Sequence, residues 1–153
     1  MSLELITRYR SGLVGMELSH TWQGHGSAIF LEFGTLTPRV RHDGCPGNPD
    51  GEFGVMIEWS WRIEDKRSII CGSWSDEALW EAALRQLHGS TVTNVGLFGQ
   101  LPELFVELSN GHRVLSFMTS EGNPEWALFD RRSAKSTWLC IRQGLLVEEV
   151  SAA

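Results

Sequence analysis

The chain has 153 residues, 42% hydrophobic and 21% charged, and its nineteen acidic against thirteen basic residues leave a formal charge of −6. That length and mixture suit one compact domain spanning residues 1–153 and exclude a disordered chain. The acidic residues fall nine before Ser75 and ten after it, so the field opposes a phosphate backbone throughout and nucleic acid is not an expected partner. Apolar runs such as "AIFL" and "GLLV" are too short to span a bilayer, and "MSLELITRYR" lacks the apolar stretch of a signal peptide. The expectation is a soluble cytoplasmic protein without a membrane partner.

In chain order, the first strand signal is "SAIFLEF". It is followed by "RHDGCPGNPDGEFG" (Arg41 to Gly54), whose three Gly and two Pro between Asp43 and Gly54 read as a surface loop. Next, "VMIEWSWRIE" (Val55 to Glu64) alternates so that Val55, Ile57, Trp59, Trp61 and Ile63 share one face of a predicted strand. Aliphatic neighbours on that face assign both tryptophans to the core rather than to a binding platform. After "RSIIC" comes "SDEALWEAALRQLHG", with Ser75 as predicted N-cap, acidic residues in the first turn and Gly89 as stop: the only substantial helix expected, over 75–88. "ELFVELS", "HRVLSFM", "EWALF", "TWLCIRQ" and "LLVEEV" complete a mainly β (α+β) chain. Between the first two of these, "SNGH" (Ser109 to His112) predicts a two-residue type I′ hairpin, with Leu104, Val106 and Leu108 facing the core.

Two segments repeat. "LVGMEL" (Leu13 to Leu18) matches "LHGSTV" (Leu87 to Val92) at an offset of 74, and "AIFLEF" (Ala28 to Phe33) matches "ELFVEL" (Glu103 to Leu108) at 75. Further on, Glu58-Trp59 aligns with Glu125-Trp126, Lys66 with Lys135 and Cys71 with Cys140. The expectation is a tandem repeat of 13–72 and 87–141, giving two similar antiparallel β units with pseudo-twofold symmetry, joined by the central helix.

The second half, from "GSWSD" through "LHGSTV", "ELFVELSNGHRVLSF" and "EWALF", resembles a family of small, uncharacterised bacterial β-rich proteins. The family pattern is Gly-Ser-x-x-Asp, Leu-x-Gly-x-x-Val, an acidic-Leu-x-Leu-x-aromatic strand, Asn-Gly and a late Trp. The likeness runs from about Trp61 to Ile141, with Glu103 in place of Asp, Leu108 in place of an aromatic and Ala127 in place of a basic residue. It implies a β-rich fold and no catalytic residues, and some small acidic bacterial proteins of this general kind serve as immunity or accessory factors.

Signatures of hydrolase, nucleotide and zinc chemistry are absent, including G-x-S-x-G, G-x-x-x-x-G-K-[ST], H-E-x-x-H and C-x-x-C. No cofactor is expected. The nearest approach to a metal site is His42 and Cys45, with Asp43, Asp50, Glu52 and a more distant His20 or His25 as further donors, and a plain surface loop explains them better. Cys71 and Cys140 lie in apolar strands and read as buried free thiols. Glu32 and Glu107 hold matching repeat positions and are weak candidates for a carboxylate pair. Two function classes follow. The first is a non-enzymatic protein-interaction protein, immunity-like or accessory, whose acidic β surface meets a partner with a basic surface, with a homodimer as a further arrangement. The alternative is a small-molecule-binding β module with an aromatic pocket lined by Trp22 or Trp74.

Overall fold

The computed structural model describes residues 2–152. The chain opens with helix α1 (Ser2–Leu13), a helix the strand-dominated reading did not anticipate. Its signal was the spacing of Ile6, Tyr9 and Leu13, all buried, at three and four residues. Tyr9 Oη bonds to Thr137 Oγ1 (2.6 Å) and Glu148 Oε2 (2.7 Å), tying the helix to the C-terminal strands.

Five strands follow: β1 (Leu18–Gln23), β2 (Ile29–Phe33), β3 (Phe53–Ile57), β4 (Trp61–Glu64) and β5 (Ile69–Gly72). The central helical segment is shorter than expected, a 3-10 turn at Glu77–Leu79 and then α2 (Trp80–Arg85). Asp76, not Ser75, caps it, accepting from the Ala78 N–H, because Ser75 Oγ already takes the Gly72 N–H. Six more strands complete the chain: β6 (Val92–Phe98), β7 (Glu103–Leu108), β8 (Arg113–Ser116), β9 (Trp126–Asp130), β10 (Thr137–Arg142) and β11 (Leu145–Val150).

The protein is mainly β, with two antiparallel sheets ordered β1-β2-β3-β9-β10-β11 and β5-β4-β8-β7-β6. Each half of the chain forms a three-stranded meander and sends its next strands to the other half: β4 pairs with β8, and β9 with β3. The inward rows correspond across the sheets, Leu31, Val55, Leu128 and Leu139 in one and Val106, Val114, Ile63 and Cys71 in the other. All are buried, and both sheets and both helices feed one continuous core.

The halves also bond reciprocally. Gly15 N–H donates to Val92 O (2.8 Å) as Gly89 N–H does to Leu18 O (2.9 Å), and Val92 N–H donates to Met16 O (2.9 Å) as Leu18 N–H does to Ser90 O (2.7 Å). Between them Glu17 bridges Thr91. Each residue has its counterpart 74 positions on, the relation of a local twofold axis through that bridge. Even the irregularity in register between Leu18 and His20 recurs between Val92 and Asn94.

The later matches shift. Trp126 corresponds to Trp61, not Trp59: the Trp61 indole donates to Ser27 O (2.7 Å) and that of Trp126 to Pro102 O (2.9 Å). By strand register Cys71 corresponds to Leu139, not Cys140. The expected single strand from Val55 to Glu64 is likewise broken, because the chain leaves one sheet after Ile57 and enters the other at Trp61. Val55, Ile57, Trp61 and Ile63 are buried as expected, whereas Trp59 stands on the crossover and is 54% exposed.

Leu104, Val106 and Leu108 face the core as the alternation predicts. The turn after them is not type I′. Only Gly111 takes positive φ (+88°), and its N–H donates to Leu108 O while Leu108 N–H donates to His112 O, a four-residue turn, Leu108 to Gly111, whose last residue is the left-handed glycine. The two-residue turn with both φ values positive lies instead at Gln143 (+52°) and Gly144 (+77°), between β10 and β11.

Two stability measurements test this account. Trp61→Ala removes a ring that is 2% exposed, packed edge-on to Trp80 at 5.4 Å, and should cost about 3–5 kcal/mol, whereas Trp59→Ala should cost less than about 0.5 kcal/mol. Equal urea midpoints for the two variants would contradict the broken strand. Gly111→Val meets no neighbouring atom yet must hold positive φ, so a loss of about 1 kcal/mol or more is expected from backbone conformation alone. A neutral result would show that the turn relaxes.

Candidate functional site

The connection from β2 to β3 (residues 34–52) is long, whereas its counterpart from β7 to β8 is the short turn 109–112. The long loop is anchored by a buried charge. Glu32, 1% exposed, accepts from Gly51 N–H (3.0 Å) and Arg131 Nη1 (2.9 Å) on one oxygen and from Trp22 Nε1 (3.0 Å) on the other. Arg131 also donates to Gly51 O (3.2 Å) and lies over the Phe129 ring. Gly54 makes room for it, since a Cβ there would sit 2.6 Å from the guanidinium. A buried carboxylate is tolerable only when so completely partnered.

Trp22 is half-buried, stacked on Phe30 at 3.8 Å with the rings 6° from parallel. It lines a groove of about 770 Å³ together with the loop residues Arg39, Arg41, His42, Asp43 and Asn48. On its other flank is a hollow of about 490 Å³ where β1 meets α2. There His20 and His88 stand 6.2 Å apart, His88 Nε2 shares a 2.7 Å hydrogen bond with Thr21 Oγ1, and His20 Nε2 lies 3.0 Å from Asn48 Oδ1.

Of the metal candidates, His42 and Cys45 are exposed; the Cys45 N–H donates to Asp43 Oδ1, and Asp43 pairs with Arg41. Among the described residues no three His, Cys, Asp or Glu side chains converge as a metal site would require. Glu107 does not converge with Glu32. It pairs with Arg113 of the neighbouring strand in the second sheet, as Glu32 pairs with Arg131 in the first. Cys71 and Cys140 are buried free thiols, and burial pushes the Cys140 thiol pKa up.

Trp74 occupies a different surface. It is 92% exposed and borders a hollow of about 340 Å³ with Trp61, Arg62, Ile69 and Phe117. An adjoining hollow of about 320 Å³ holds Trp59, Met118, Glu121 and Glu125. The two share Ser60 and Thr119, so Trp59, Ile69, Trp74 and Phe117 make one exposed apolar patch at the β4–β5 end of the second sheet. Strand β5 is the sheet edge there, but both outward main-chain groups of Gly72 are taken by Ser75, the N–H by its Oγ (3.0 Å) and the carbonyl by its N–H (2.9 Å). Sequence reasoning found Trp22 and Trp74 but not Phe30, Phe117 or the His20–His88 pair, which only the fold brings together.

No family model, curated protein or solved structure matches the chain. The motifs singled out in the second half of the sequence have structural tasks. Gly72 to Asp76 forms the capped turn, Leu87 to Val92 the twofold bridge, and Ser109 to Gly111 the hairpin.

The histidine hollow gives a signed pH dependence. Burial, then His20 and then Arg85 push the His88 pKa below its ordinary value, while Glu81 is the acidic side chain lining the same hollow. A histidine depressed in the folded state stabilises the fold above its unfolded pKa and loses that contribution as pH falls through the lowered value. Urea midpoints should therefore drop between about pH 7 and pH 5, and drop less in His88→Gln. Identical profiles would exclude His88 as the cause.

Proposed function

We propose that the protein is a small, cytoplasmic, non-enzymatic protein-interaction factor, immunity-like or accessory, that docks on a partner with a basic surface through the patch around Trp74. The observation that carries this reading is the exposure of Trp74 itself, 92%. A soluble chain rarely leaves so large a ring uncovered among other apolar side chains unless a partner covers it. Its neighbours suit a cationic rim on the partner. Glu121 and Glu125 share the hollow with Trp59, no basic side chain among the described residues lines that hollow, Arg62 beside Trp74 is paired with Glu64, and Asp76 and Glu77 follow Trp74 in exposed positions. Because Ser75 takes both outward main-chain groups of Gly72 at the end of β5, the reading rests on side chains rather than on adding a strand.

The test compares immobilised wild type with Trp74→Ala and Trp59→Ala/Trp74→Ala in native lysate at low and high salt. The expected result is a basic protein retained by the wild type, weakened by about tenfold or more in the single variant, released by salt, with urea midpoints unchanged. Equal retention by Trp74→Ala would refute the reading. Sedimentation equilibrium identifies the case in which the partner is a second 17.2 kDa copy.

A further inference from the structure

The two halves of the fold provide an internal control. Wherever both demand the same backbone, a side chain or segment present in only one of them is not required by the fold. Trp22 corresponds to Gly96 and Phe30 to Phe105, at the offsets of 74 and 75 that the paired strands keep. In the second half the edge of the Phe105 ring presses on the glycine, so close that a Cβ there would be 2.5 Å from it. The architecture is thus complete without an indole. It is equally complete without the loop 34–52, since residues 109–112 make the same connection. The first half alone carries both additions, and they meet.

They meet at Glu32. Its carboxylate holds the Trp22 indole by Nε1 and the end of the loop by the Gly51 N–H. The corresponding Glu107 holds neither counterpart and closes on Arg113. A buried charge is therefore used to fix an aromatic ring against a loop, the preorganisation expected of a binding site rather than of a core.

The lining identifies the ligand class. Because Glu32 occupies the indole N–H and Phe30 covers the ring face toward the sheet, Trp22, on the edge strand β1, has its other π face left to offer. A ligand must present an apolar face to it. Around that face stand Arg39, Arg41, Asp43 and Asn48, which supply donors and acceptors in one direction-rich set. The arginines are neutralised on their own loop, Arg39 with Asp50 at 3.6 Å and Arg41 with Asp43 at 3.4 Å, and these loose, exposed pairs keep bonding capacity for hydroxyls. With the groove locally neutral and the chain at −6, a phosphate-bearing ligand is disfavoured. A neutral ring with one apolar face and an equatorial fringe of hydroxyls fits every element. At about 770 Å³ the groove is of ligand size.

We infer that the Trp22 groove is a saccharide-binding site, in which a pyranose ring lies on the free face of Trp22 and its hydroxyls bond Arg39, Arg41, Asp43 and Asn48. The site goes beyond the protein-docking reading and lies on the other sheet.

The test is saturation-transfer NMR and calorimetry of the intact protein with cellotriose, maltotriose, chitotriose and xylotriose, each to about 10 mM, alongside AMP. The expected result is saturable binding of at least one trisaccharide, with the largest transfer to ring C–H protons. Affinity should fall about tenfold or more in Trp22→Ala and several-fold in Arg41→Ala and Asn48→Ala, and be unchanged in Trp74→Ala. The two loop variants alter only exposed side chains, so they test the site even if Trp22→Ala lowers stability. Binding by none of the four sugars, binding indifferent to the loop variants, or tighter binding of AMP than of any sugar would overturn the inference, the last in favour of a nucleobase.

Discussion

The fold depends on the reciprocal main-chain bonding of residues 15–18 with residues 89–92. In six residues the Leu-x-Gly-x-x-Leu/Val motif ends a helical segment, buries its first leucine, turns the chain and starts an edge strand that bonds to its own counterpart. Leu13, Leu18, Leu87 and Val92 are buried and fix the bridge to the core, while Gly15, Glu17 and Gly89 lie on its exposed side. From this point each meander unrolls into its own sheet. Neither is complete alone, because β3 and β8 await strands from the opposite half. The exchange converts two small units into one core, which neither would have the volume to form.

Against that shared scaffold the halves differ in chemistry. Where the first half places a glycine at position 54 and brings Arg131 in from the end of β9, the second puts Arg113 at the corresponding place and delivers the guanidinium directly. Both solutions neutralise a glutamate. Only the first couples it to a tryptophan and a long loop. An apolar pair would have held the sheet equally well, so the ionic version specifies position more than it adds stability. The aromatic patch near Trp74 is also one-sided. Trp74 follows Gly72, and Gly72 corresponds by register to Cys140, which is buried within β10.

What the sequence revealed and what it hid follow from the range of the interactions involved. Alternation placed Val55, Ile57, Trp61 and Ile63 inside because strand burial is set by residues two apart. The same alternation misplaced Trp59, since nothing local signals that the chain changes sheets at Glu58. Asn-Gly identified a turn but not its class, because the Ser109 N–H bonds to Thr91, far away in sequence, and this bond reshapes the hairpin. Helix α1 was legible in the spacing of Ile6, Tyr9 and Leu13 and was overlooked amid a strong β composition. For the candidate sites, composition singled out Trp22, Trp74, Glu32 and Glu107. That Glu32 holds Trp22 and Gly51 while Glu107 does not depends on Arg131, ninety-nine residues from Glu32, and no local pattern encodes it.

The strand exchange also constrains how the chain acquires its structure during synthesis. As translation proceeds from the N-terminus, β1, β2 and β3 emerge first, and the free edge of β3 has no partner until β9 follows; β4 and β5 likewise wait for β8. The nascent first half therefore carries exposed strand edges and unburied Val55 and Ile57 while β8 and β9, the two strands that must pair with it, are still unmade. Folding must wait for the second half and then proceed through pairings distant in sequence, which is slow and leaves an aggregation-prone intermediate in the meantime. Separating the halves by a longer central connection would prolong that interval without altering any contact of the finished protein.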